Sequence, residues 1–219
     1  MTTVYLIRHG QASAGTDDYD RLSILGQRQS TLLGEHWQRL NIKPDAAFAG
    51  SLKRQQHTAQ LVLEASKLDL PIQQLNQLDE YNHTHIDELF ALGKKSDDPD
   101  GLTFDEYHAT MARWRDADTQ AIEGYESFQT FENRGIEAIQ AASSKGHSCV
   151  ALFTSGGIVA TVLKQALGKN FTHTMKSIWN TRNSSVTTMQ VDGQSTYMID
   201  YNTVSHLEYH SDRSLITLI

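Results

Sequence analysis

Two short, unbroken apolar runs constrain this chain most: Val4–Ile7 and Cys149–Phe153, each followed by a polar, glycine-containing turn. Neither is long enough for a helix. An apolar residue at every position, rather than at every second one, calls for burial on both faces, which is the mark of a parallel strand covered by helices on either side. The neighbouring segments fit that frame. Leu22–Leu40 places Leu22, Leu25, Leu32, Leu33, Trp37 and Leu40 at a roughly helical period. Ala46–Ala49 reads as a strand after Pro44-Asp45, and Ser51 is placed to cap a helix over Leu52–Lys67. Ile72–Leu75 is a weaker strand signal. Ser127–Lys145 reads as a helix ending at Gly146, Ser148–Thr154 as the strongest strand, and Ile158–Leu167 as a helix stopped by Gly168. Ser185–Val191 and Tyr197–Tyr201 are β-rich and joined by Asp192-Gly193, a hairpin signal for an antiparallel edge.

Strands alternating with helices predict a three-layer α/β/α sandwich with a mostly parallel sheet, in one domain over residues 1–219. An insertion is expected at about 83–125. That stretch is rich in charge, holds the turn signal Ser96–Gly101 and continues into a polar helical run from Phe104 to Ile122. It should cover one end of the sheet. In such folds ligands gather at the carboxyl ends of the strands, where Arg8-His9-Gly10 and Thr154-Ser155-Gly156-Gly157 both fall.

The net charge of −7 leaves no basic face for nucleic acid, while a local basic pocket for a small anion stays open. No run approaches eighteen apolar residues and no export signal is visible, so a cytoplasmic protein away from membranes is expected. Cys149 is the single cysteine, which excludes an intramolecular disulfide; it reads as a buried, inert thiol.

A neutral imidazole is a good nucleophile whose second nitrogen can be fixed by a hydrogen bond, and it can accept a phosphoryl group and pass it on. Arginine offers a permanently charged fork that matches phosphoryl oxygens. Arg8 and His9 together could therefore be a clamp and a nucleophile. On the tripeptide alone, a solvated arginine beside an incidental histidine reads equally well.

The wider pattern separates these alternatives. L-I-R-H-G at Leu6–Gly10, the helix opening Leu22–Gln29, S-L-K-R-x-x-x-T-A at Ser51–Ala59, Leu78-Asp79-Glu80 and Asn202–Leu207 follow in an order that resembles the histidine phosphatase superfamily, the phosphoglycerate-mutase-like proteins. The resemblance implies a phosphorylated nucleophile at His9, phosphate clamps at Arg8 and Arg54, and a proton donor at Glu80, with Asp79, Glu88 and Glu126 as alternative acids. It implies a small phosphorylated substrate or phosphate as partner and no metal or other cofactor. A homodimer stays open.

The chain departs from the family at Ser155. Many relatives carry a second histidine there, before the glycine, and use it to bind the phosphoryl group. A hydroxyl is shorter and uncharged, whereas an imidazolium would give a charge-assisted bond roughly twice as strong as a neutral one. Thr154, Ser155 and Gly156, with free amides where a helix begins, are the substrate-binding candidates on that wall. His206, or His83 or His85 after Glu80, could stand in for the absent imidazole, although each reads first as a surface residue. The string His83–Glu88 has the composition of metal ligands but no partner motif, so a solvated loop or helix start is the preferred reading. The family's usual asparagine after R-H-G is also absent, and Gln11 and Ser13 are the candidate replacements. Ser155 lacks the G-x-S-x-G surroundings of a hydrolase nucleophile, and no nucleotide-binding glycine loop is present.

Three functions remain open. The first is a phosphomonoesterase working through phospho-His9, and the second a phosphate-binding module without turnover. The third is a phosphoglycerate-type mutase, which would need basic residues for a second acidic group. Residues 80–126 offer only Lys94, Lys95, Arg113 and Arg115.

Overall fold

The computed structural model describes residues 1–13, 20–90, 103–117, 123–193 and 195–218. Six strands form one sheet: β1 (Thr2–Arg8), β2 (Ala46–Ala49), β3 (Ile72–Gln74), β4 (Cys149–Thr154), β5 (Val186–Asp192) and β6 (Ser195–Thr203). Their order is β3-β2-β4-β1-β5-β6. The first four are parallel, while β5 joins β1 and β6 joins β5 antiparallel. The sheet is thus mixed and mostly parallel, with the hairpin at its edge.

The two apolar runs lie side by side at the centre, with Leu6 opposite Leu152 and Arg8 opposite Thr154. Their side chains alternate between two cores. Ile7, Phe153, Ala47 and Ala49 pack with Leu33, Trp37, Val62 and Leu63, from helices α1 (Ile24–Leu40) and α2 (Lys53–Ser66). Val4, Leu6, Phe48 and Leu152 face the other way, onto Ile136, Ile139, Val159 and Val162. Those four come from α5 (Phe128–Ser143) and α6 (Gly156–Leu167). Burial on both faces is why the strands carry no polar alternation.

Between β3 and α5 stand α3 (His83–Phe90) and α4 (Phe104–Asp116). Thr103 caps α4 in a reciprocal box with Glu106. The helical run expected to Ile122 reaches Asp116; residues 118–122 and the expected turn at 96–101 lie outside the described residues. Helix α7 (Phe171–Asn180), capped by Asn170, follows α6 and was not among the sequence expectations. A short α8 (Ser205–Glu208) follows β6.

Helix starts differ from expectation in one informative place. Ser23 caps α1 by accepting from the Gly26 amide, but Ser51 does not cap α2. Its hydroxyl donates to Asp79 at 2.6 Å. The α2 terminus is served instead by Asp20, whose carboxylate accepts from the Lys53 amide at 2.9 Å. A carboxylate satisfies that first-turn donor and also complements the positive helix end. Removing it in Asp20→Ala should lower unfolding free energy by about 1–2 kcal/mol. Asp20→Asn, which keeps an acceptor, should lose less. Urea unfolding of the two variants measures the difference.

Candidate active site

Strand β1 ends where β4 ends, and the His9 amide continues their ladder by donating to the Thr154 carbonyl at 2.9 Å. This brings His9 to the mouth of the sheet while leaving it 5% exposed. The roles of its two nitrogens follow from their partners. Nδ1 lies 2.7 Å from the Gly10 carbonyl, which can only accept, so Nδ1 carries the proton. Nε2 lies 3.1 Å from Arg54 Nε, which can only donate, so Nε2 keeps its lone pair. The ring is therefore neutral, with its nucleophilic nitrogen turned toward an arginine. Burial, then the positive charges of Arg54 and Arg8, hold its pKa well below 6.5 against the raising effect of the Gly10 bond.

Arg54 is itself fixed. It sits in the first turn of α2, and its Nη1 donates to Asp20 Oδ1 at 2.7 Å. Asp20 thus holds both the helix end and the arginine, a role with no signal in the local sequence, since the two residues are 34 apart. Arg8 is anchored differently. Its Nη1 donates to the carbonyls of Thr181 and Leu218, and its Nε faces Gly156, where an added Cβ would sit 3.6 Å away.

Glu80 meets the start of α6. Its Oε2 accepts from the Gly157 amide at 2.9 Å, and its Oε1 from Tyr81 N at 3.2 Å. The other carboxylates considered as acids have local partners. Asp79 takes the Ser51 amide and hydroxyl, Glu88 accepts from the Tyr125 hydroxyl, and Glu126 pairs with Arg134 at 2.6 Å. Arg134 also donates to the carbonyls of Gln77 and Asp79, bracing the segment that delivers Glu80.

The β4 wall is occupied by internal bonds. Ser155 is fully buried and accepts from Gln55 Nε2 at 2.8 Å; the same Gln55 amide donates to the Leu78 carbonyl. Thr154, also fully buried, donates to Leu78 O at 2.6 Å. The Gln11 side chain accepts from Ser23 Oγ, and the Ser13 amide donates to Arg21 O. His206 is enclosed rather than open to the cleft: it is 2% exposed, with Nε2 2.8 Å from Ser184 Oγ and its ring near His36. Cys149 is half-buried, and burial with nearby Asp45 pushes its thiol up to about 11. Among the described residues, no three His, Cys, Asp or Glu side chains converge to hold a metal, and no helix is long and apolar enough to cross a membrane.

The structure therefore gathers His9, Arg8, Arg54, Glu80 and Gly156 at one end of the sheet. It commits Ser155, Thr154 and Gln11 to bonds within the protein. Asp20, Gln55 and Arg134 are the supporting residues that the sequence did not disclose.

With this fold and constellation in place, comparison with known proteins defines the class. The model of the histidine phosphatase superfamily (branch 1) matches residues 4–204. The chain belongs to that family. Solved structures share the architecture at low identity. YhfR of Bacillus stearothermophilus superposes with a TM-score of 0.68 at 22% identity, over 94% of this chain and 99% of that one. A phosphoglycerate mutase from Bacillus anthracis gives 0.67 at 18%, over 94% and 95%. The alpha-ribazole phosphatase of Shigella flexneri gives 0.65 at 19%, over 93% and 97%. No curated protein sequence matches.

Two outcomes test this geometry. A Cβ on Gly157 would lie 2.1 Å from Glu80 Oε1, whereas one on Gly156 meets only ordinary contacts. Gly157→Ala should therefore cost about 1–3 kcal/mol in thermal or urea unfolding. Gly156→Ala should be neutral or slightly stabilising. The second concerns acid. Burial, then His36 and His210, lower the His206 pKa to about 3. The folded state thus refuses a proton that the unfolded chain takes near 6.5. Stability is complete above that value and falls as the pH drops toward 3, by up to about 1.4 kcal/mol per pH unit for one proton. His206→Gln should flatten the decline in urea midpoints between pH 6.5 and 4 by about one proton's worth.

Proposed function

We propose that this protein hydrolyses a phosphate monoester through a phosphohistidine on His9. The observation that carries the reading is the ring's protonation pattern: Nδ1–H on the Gly10 carbonyl and an Nε2 lone pair held toward Arg54. Buried and flanked by two arginines, that nitrogen faces a positive field suited to a phosphoryl group.

In the first step, phosphoryl oxygens replace the lone pair as acceptors for Arg54 Nε, with Arg8 beside them. His9 Nε2 attacks phosphorus, forming the P–N bond as the P–O bond to the leaving oxygen breaks. Glu80 delivers the proton that oxygen needs, since an alkoxide leaves poorly. In the second step Glu80 takes a proton from water, the water oxygen forms a new P–O bond, and the P–N bond breaks to release phosphate. His9 returns to its neutral form, with Nδ1–H kept on Gly10 throughout. Positioning and charge stabilisation supply most of the rate in such transfers, which is what the Asp20–Arg54 and Gly10–His9 contacts provide.

We take Ser155 to stand where many relatives place a second histidine, and residues 83–125 to be an insertion over the site. Hydrolysis is favoured over mutase chemistry. The described cations of that segment are Arg113 and Arg115, and Arg115 is bound to Asp116 and stacked over Phe171, which gives no support for a second acidic group. The commitment of Ser155 to Gln55 favours, as a second reading, a phosphate-binding module with slow or no turnover.

Acid-free quenching during turnover of p-nitrophenyl phosphate should trap acid-labile phosphate on His9, absent in His9→Ala along with activity. Activity at the wild-type level in His9→Ala would refute the mechanism. Phosphate binding with no labelled histidine over a broad phosphoester panel would select the binding module.

A further inference from the structure

The β4 end, where Ser155 stands, offers the anion no side chain. Ser155 is fully enclosed, and its hydroxyl accepts from Gln55. Gln55, equally enclosed, fills the space between Ser155 and the Leu78 carbonyl. An imidazole at position 155 would have to displace that amide. If the site uses a second histidine, it must reach the cleft from elsewhere.

One other histidine stands by the catalytic groups. His83 is the first residue of α3, three positions beyond Glu80. Its ring packs on Tyr81 with centroids 4.3 Å apart. Tyr81 is buried against Phe131 and Trp114, and its amide donates to Glu80. The ring is thus seated on the same braced segment that carries Glu80, while the residue stays open to solvent and to an incoming ligand. The charges that act on it are Glu80, Arg54, Asp87 and Arg8, and it acts in turn on His9.

The remaining candidates face elsewhere. The His85 ring packs on Tyr125 at 4.4 Å, and His206 is enclosed beside Ser184 and His36.

We propose that His83 supplies the second imidazole of this site, donating an N–H to the phosphoryl group from the Glu80 side of the cleft rather than from the end of β4. The assignment rests on the phosphohistidine reading for its catalytic meaning. Its binding content stands apart from turnover. A bound phosphate dianion beside the ring would also favour its protonated form and strengthen the bond.

The test uses the full chain with inorganic phosphate and p-nitrophenyl phosphate as probes, and compares His83→Ala, His83→Gln and His85→Ala. Thermal unfolding without ligand establishes that each variant is folded. Phosphate affinity, from titration calorimetry or competitive inhibition, should fall roughly ten- to hundredfold in His83→Ala. It should recover in part in His83→Gln, which keeps an N–H donor, and stay within about twofold in His85→Ala. In wild type, phosphate should shift the NMR titration of the His83 ring to higher pH. Unchanged phosphate affinity in a folded His83→Ala, or an equal loss in His85→Ala, would overturn the proposal. If no phosphohistidine forms in wild type, the hydrolytic reading fails on its own, and the phosphate titrations still decide the role of His83.

Discussion

The hydrogen bond from Arg54 Nε to His9 Nε2 is the contact on which this site depends. It joins a guanidinium that can only donate to a nitrogen that must then accept, and so fixes the imidazole in its neutral, nucleophilic form. The cost of enclosing the ring is offset by the two bonds that satisfy both nitrogens. The same contact occupies the Nε2 lone pair, which under the proposed function an incoming ligand would release by taking its place as the arginine's acceptor.

The supports of that contact are spread along the chain. Asp20 restrains the far side of the Arg54 guanidinium and closes the end of α2, so one carboxylate sets both the helix start and the position of the arginine. Glu80 is held from two directions: Gly157 offers its amide at the start of α6, and Arg134 braces the backbone carbonyls just before it. Glu80 and His9, which lie just outside regular elements, are therefore held through contacts with neighbouring chain ends, which is how a short loop acquires a definite side-chain position.

Much of the fold was legible because Val4–Ile7 and Cys149–Phe153 state their environment directly: burial on both faces leaves no polar alternation. The hairpin at Asp192-Gly193 was equally plain. Helix α7 was missed because Thr172, His173, Thr174, Lys176 and Ser177 dilute its apolar face, and its packing partners Phe104, Tyr107 and Phe128 are remote in sequence. At the site, His9, Arg8, Arg54 and Glu80 could be named through a family likeness. Asp20 and Gln55 could not, since their roles exist only after tertiary contacts form. Ser51 shows the same limit from the other side. A residue with good capping chemistry was drawn away by Asp79, and a distant carboxylate took its place.

Arg8 has one further property. Its guanidinium is held by carbonyls 173 and 210 residues further along the chain, and Gln29 laces the Gln11 amide to Leu215 and Thr217. Contacts of such long sequence separation close late, after the loop entropy between them has been spent. During synthesis, a chain still lacking residues 181–218 could build β1 and α1 yet hold neither Arg8 nor the segment after His9 in place. The arrangement around Arg8 and His9 is therefore a product of complete folding, and under the proposed function phosphate binding would serve as a reporter of the finished molecule.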